Sequence, residues 1–218
     1  MQDFGKTEVK RLEDLTRLYN LTKYILFYAE ELKAESFIPP MNEFKDAFDH
    51  LMRVYTVKFE LVRKDDDYVA ANLDASFRHV YRATFELLDY IRIYQKEVII
   101  TKLENISREA LSSVFPEYYK DIRPDIERII NDIPVYKCEK DIGDPTINCV
   151  EEYFNTVKKL DFYSHRIDEM LPGLIEYNKT RKREEREFEE KKTREKHNEY
   201  IIRFMIAVVC MAIGKIIL

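Results

Sequence analysis

The sequence predicts an all-α protein: an antiparallel helical bundle, a long charged C-terminal stalk helix, and a single C-terminal transmembrane helix into which the stalk runs. Three observations carry this. Only four glycines and seven prolines punctuate 218 residues, so the frequent turns of a β protein are missing. Apolar residues recur at helical rather than alternating spacing over long windows. The last nineteen residues, 200–218, are an apolar segment behind one of the most charged stretches of the chain.

The first helix is expected over about residues 7–34, with Leu12, Leu15, Leu18, Leu21, Ile25 and Leu26 on one face, and it stops before the Pro39-Pro40 pair. A second starts near Pro40, where a first turn tolerates proline. It carries Phe44, Phe48, Leu51, Val54, Tyr55 and Phe59 towards the polar run 63–67. The third is long, about 68–105, with Leu73, Phe77, Val80, Phe85, Leu88 and Ile91 inside. Two shorter pieces follow, 107–114 and 116–131, the second broken or kinked at Pro124. Residues 133–148 read as a loop. A further helix, about 149–170, closes the bundle and is interrupted at Leu171-Pro172-Gly173.

Residues 173–199 are nearly devoid of apolar side chains after Tyr177 apart from Phe188, and have no seam for a coiled coil. Acid-before-base pairs such as Glu187 with Lys191 and Glu190 with Arg194 favour a solvated helix of roughly 35–40 Å over a flexible linker. In 200–218, Ile201, Ile202, Phe204, Met205, Ile206, Val208, Val209, Ile213, Ile216 and Ile217 make the segment apolar all round. It approaches the ~20 residues that span a bilayer. Arg203 and Lys215 are placed to snorkel to the two headgroup layers, and the competing expectation is a helix buried against protein. The domain expectation is therefore a bundle at 1–172, a stalk at 173–199 and an anchor at 200–218. The lipid bilayer is one partner, and a protein or a second copy is the other. The many Lys and Arg before the anchor, with no apolar leader at the start, predict a single-pass membrane protein whose N-terminus is cytoplasmic.

A net charge of −5 argues against general nucleic-acid binding. There is no Gly-rich phosphate loop, no Cys-x-x-Cys and no Gly-x-Ser-x-Gly, so no catalytic residue is assigned and no cofactor is expected. No metal site is expected either, because the four histidines lack metal-ligand spacing. Fifteen tyrosines and thirteen phenylalanines without a tryptophan are read as core and core rim.

One internal pattern stands out. Residues 48–53 and 77–82 share Phe-x-His-φ-φ-Arg, and a hairpin turning near Lys64-Asp65 brings His50 and His79 to the same depth. His50, Arg53, His79 and Arg82 are thus a candidate site for an anion such as a phosphate or nucleotide. The competing and favoured expectation is structural: the same cations satisfy Asp46, Asp49, Asp74, Glu86 and Asp89 across the hairpin. Replacing both arginines by glutamine would then cost on the order of several kcal/mol. The helical architecture is similar to that of the HEPN ribonucleases. Their arginine-to-histidine spacing precedes none of His50, His79, His165 or His197, so the similarity carries no catalytic residue. The expected function is that of a tail-anchored sensor, adaptor or effector subunit acting through protein interaction and self-association. The alternative is a membrane-attached nuclease or a nucleotide- or anion-binding module.

Overall fold

The computed structural model describes residues 2–33, 38–141 and 145–216, with 207–216 described as helical backbone alone. The described residues are helical throughout, with no strand. In chain order they form α1 (Lys6–Lys33), α2 (Ile38–Lys58), α3 (Asp66–Leu103), α4 (Arg108–Val114), a π turn (Tyr118–Ile122), α5 (Arg123–Asp141) and α6 (Ile147–Ile216). The chain divides into two compact units. One comprises residues 1–104 and 119–168, the other residues 105–118 and 169–218.

The first unit is organised around α3. Asp65 caps it, its carboxylate accepting the Tyr68 N–H at 2.9 Å, and Asp66 and Asp67 place negative charge at the positive end of the helix dipole. α3 buries Phe77, Tyr81, Phe85, Leu87, Leu88 and Ile91 almost completely, each large apolar side chain contributing about 1.5–3 kcal/mol. Leu18, Ile25 and Ala29 of α1 and Val150, Phe154 and Val157 of α6 complete the same core.

Inter-helix hydrogen bonds fix the directions. Glu43 meets His79 and Ala47 meets Ser76, so α2 runs antiparallel to α3. Arg11 meets Asp74, Thr22 meets Thr84 and Gln95 meets Tyr28, so α1 runs parallel to α3. Asp89 with Tyr153 and Lys102 with Ser164 put α6 parallel to α3 as well. α5 opposes α6, Tyr136 stacking on Tyr153 at 4.5 Å between centroids and Asp125 accepting from Tyr163.

α2 ends with Glu60 at φ 61°. The N–H of Glu60 bonds the Val57 carbonyl and that of Leu61 bonds the Thr56 carbonyl, a Schellman motif that ordinarily takes glycine. Lys58, nearly buried, ties this end to the start of the chain through Glu8 at 2.7 Å and the Asp3 carbonyl.

In the second unit Ser107 caps α4 and its hydroxyl also meets Asn178, whose amide donates to the Asn105 carbonyl. Tyr177 and Arg181 both reach Glu109. Gly173 faces Val114, and a Cβ there would meet it at 3.4 Å, an ordinary contact. From residue 181 to 206 every side chain of α6 is exposed. Ion pairs such as Arg183 with Glu187 and Arg203 with Glu199 line its surface, each supplying a few tenths of a kcal/mol.

Several boundaries differ from expectation. The helix is not broken at Pro124: a π turn, Tyr118–Ile122, precedes it and the helix continues through it to Asp141. Most of the expected loop 133–148 is helical, since α5 continues through Pro134 to Asp141; residues 142–144 lie outside the described residues. Tyr136 explains this, because its stacking on Tyr153 and its hydrogen bond to Thr156 hold the turn after the proline against α6. The interruption at Pro172 is absent too. Both Pro172 and Asp168, whose carbonyl loses its helical partner, are exposed, and water can satisfy that carbonyl. Among the described residues no helix is long and apolar enough to cross a membrane. Within the expected anchor the side chains of Ile201, Ile202, Phe204, Met205 and Ile206 are described, and all are exposed. Those of Val208, Val209, Ile213, Ile216 and Ile217 lie outside the described residues.

Candidate functional site

His50 and His79 lie together between α2 and α3. Their rings stack with centroids 5.3 Å apart and planes 21° from parallel. The register set by Ala47 and Ser76 leaves the two residues about six positions apart along the helices, roughly 9 Å, rather than level with each other. They meet because side chains lean towards their own helix N-terminus, and in an antiparallel pair those leans converge.

Each imidazole is oriented by a partner on the facing helix. His50 Nδ1 is 2.9 Å from Asn72 Oδ1, and Asn72 spends its NH2 on the Tyr68 carbonyl at 2.8 Å, so its oxygen is the acceptor and His50 Nδ1 carries the proton. His79 Nδ1 is 2.7 Å from Glu43 Oε2, a carboxylate that accepts and therefore also fixes an Nδ1–H form. In both neutral rings the lone pair is then left on Nε2. The His79 and Glu43 side chains are 18% and 22% exposed, so this contact is partly shielded from water.

The arginines do not join them. Arg53 turns along its own helix to Asp49 at 2.5 Å, in a pair about half exposed on both sides, and Arg82 is exposed on α3. Of the five acids expected to need these cations, one takes Arg53 along its own helix and two pair with other groups. Asp74 pairs with Arg11 and Arg78, Asp49 with Arg53, and Asp89 with Tyr153 and Arg92. Burial pushes the Asp74 carboxyl up, but the Arg78 hydrogen bond and the Arg11 charge outweigh it and hold the group below the ordinary carboxylate value. The hairpin thus has polar contacts built from the histidines, while Arg53 pairs within its own helix and Asp74 draws on Arg78 and on Arg11 of α1.

A second polar cluster lies inside the first unit, and periodicity gave no sign of it. The Tyr153 hydroxyl donates to Asp89 at 2.6 Å and receives the Arg92 Nε–H at 3.2 Å, while Arg92 Nη2 lies 3.6 Å from the same carboxylate. One turn on, Gln95 donates to the Tyr28 hydroxyl at 3.0 Å. Burial first, then Asp161, raises Tyr28, and burial first, then Asp89, raises Tyr153, so both phenols stay protonated past the ordinary tyrosine range. The signal available was three polar residues, Asp89, Arg92 and Gln95, at spacings of three on the apolar face of α3. Among the described residues no group of three His, Cys, Asp or Glu side chains could hold a metal ion.

Compared with protein-family models, with curated proteins and with solved structures, the chain matches none.

Proposed function

We propose that this chain is a membrane-attached helical bundle that works by binding, as a sensor, adaptor or effector subunit, through protein contacts and self-association. One observation carries the reading. Tyr200, Ile201, Ile202, Phe204, Met205 and Ile206 follow one another on α6 with their side chains 44–72% exposed, straight after a run of exposed charged residues. So much contiguous apolar surface needs a cover. The apolar sequence continuing to Leu218 makes lipid that cover, with 1–172 as bundle, 173–199 as stalk and 200–218 as anchor. Ala207, Ala212 and Gly214 would permit close approach of neighbouring anchors.

Deleting residues 200–218 tests it. The full chain should sediment with membranes and resist extraction at alkaline pH, and the truncated chain should be soluble with its helicity otherwise retained. Full-length protein that is soluble and monomeric without detergent overturns the reading. Larger residues at Ala207 and Gly214 should weaken cross-linking between copies.

The second reading, an anion- or nucleotide-binding module or nuclease, draws on the stacked His50–His79 pair with its two Nε2 atoms. Phosphate binding that is lost in H50Q/H79Q with helicity unchanged supports it. Phosphate binding unchanged in H50Q/H79Q removes it.

A further inference from the structure

An open groove of about 580 Å³ runs along the outer face of α1 and α2. Its walls are apolar and aromatic, among them Leu15, Tyr19, Phe27, Met41, Phe44 and Phe48. Phe27, Met41 and Phe48 remain more than half exposed, so the bundle's own packing does not cover them. The volume suits a small molecule, whose sites span about 300–1,000 Å³.

Charge decides the class of occupant. Among the described residues Lys23 is the only charged one lining the groove, and no described carboxylate lines it. Its ammonium lies 5.6 Å from the centre of the Phe27 ring, which holds it at the rim. The wall hydroxyls of Thr16 and Ser76 are already spent on the Leu12 and Ala47 carbonyls, at 2.7 and 2.9 Å. The walls therefore ask for alkyl surface and one anion. From Lys23 back to Leu12 the α1 wall extends roughly 16 Å at 1.5 Å per residue. We infer that this groove binds a free long-chain fatty acid, its carboxylate on Lys23 and its alkyl chain lying along α1 towards Leu12.

The test is photolabelling of the full chain with a diazirine analogue of palmitate, in the presence of phosphatidylcholine nanodiscs, with the labelled peptides mapped by mass spectrometry. Label should fall on peptides containing Tyr19–Phe27 and Met41–Phe48, and palmitate should compete it away. Competition by laurate should be weaker by roughly tenfold for each pair of methylenes lost. Hexadecanol, which lacks the carboxylate, should compete about tenfold less well than palmitate, and K23E should erase that difference. T16F, which places a ring in the groove mouth and removes only a hydroxyl bonded within its own helix, should lose the label with helicity unchanged. Should T16F lose helicity, the K23E comparison decides.

Four outcomes overturn the inference: label confined to 200–218, label that excess palmitate does not displace, palmitate and hexadecanol competing equally on the unaltered chain, and groove labelling by a diazirine phospholipid that palmitate does not displace. The last would assign the groove to a bilayer acyl chain. A helix from another protein seated there would likewise appear as palmitate-insensitive protection of these peptides.

Discussion

Removing Asp89 should cost the first unit more than removing its partner Arg92. Arg92 is 8% exposed and its guanidinium is charged at every accessible pH, so D89L strands a buried cation whose nearest carboxylate was 3.6 Å away. The Tyr153 hydroxyl loses its 2.6 Å acceptor in the same step. Breaking a buried pair costs about 3–5 kcal/mol, and the long Arg92–Asp89 distance with an Asp89 side chain 22% exposed puts this one near the bottom of that range, about 3 kcal/mol. At about 2–4 °C per kcal/mol for a chain of this size, the melting midpoint should fall by about 6–12 °C. R92M leaves an Asp89 that still accepts from Tyr153 and still touches water, so about 1–2 kcal/mol is expected. The double variant D89L/R92M should recover only part of the loss, because it removes the stranded cation but leaves the buried Tyr153 hydroxyl without these partners, at about 1–3 kcal/mol. Circular dichroism melts of all four proteins give the coupling directly. A D89L midpoint within a degree of the unaltered chain, or a double variant equal to the sum of the singles, would refute the argument that Arg92 is held by this carboxylate.

R53Q/R82Q should change stability by less than about 0.5 kcal/mol in urea melts, since Arg53 sits in an exposed same-helix pair and Arg82 is on the surface; a large loss would restore the cross-hairpin network expected from sequence. E60G should raise stability by about 0.5–1 kcal/mol by relieving the left-handed conformation at the end of α2, and a lower melting midpoint would count against the Schellman geometry. Because folding raises the Tyr28 and Tyr153 pKa values, the unfolded chain releases those protons first; stability should be intact below about pH 10 and decline above it, less steeply in Y153F. Folding lowers that of Asp74, so its contribution should be present above about pH 4 and lost as pH drops through the folded value. D74N should flatten the acid limb of a stability-against-pH curve.

The helical class and the approximate extents of α1, α2 and α3 were legible in the sequence because each depends on local information: 3.6-residue periodicity, the Pro39-Pro40 pair and the polar run 63–67. The charged rod after residue 173 was legible for the same reason, since its pairs join residues three or four apart. Pro134 and Pro172 misled for the converse reason. A proline's penalty of about 3 kcal/mol is local, but whether the helix survives depends on what holds the turns around it, and Tyr136 against Tyr153 and Asn178 with Ser107 are contacts between distant segments.

At the hairpin the repeated motif named two histidines that do stack, yet their partners, Asn72 and Glu43, follow from helix register and side-chain lean rather than from spacing along the chain. Arg53 went elsewhere because the Asp49 carboxylate lies four residues away on the same helix, and Arg82 stays exposed on α3. The Asp89–Tyr153–Arg92 cluster and the groove between α1 and α2 lay beyond sequence altogether. Each is made by side chains tens of residues apart, and tertiary packing alone decided which polar atoms face each other and which apolar faces stay uncovered.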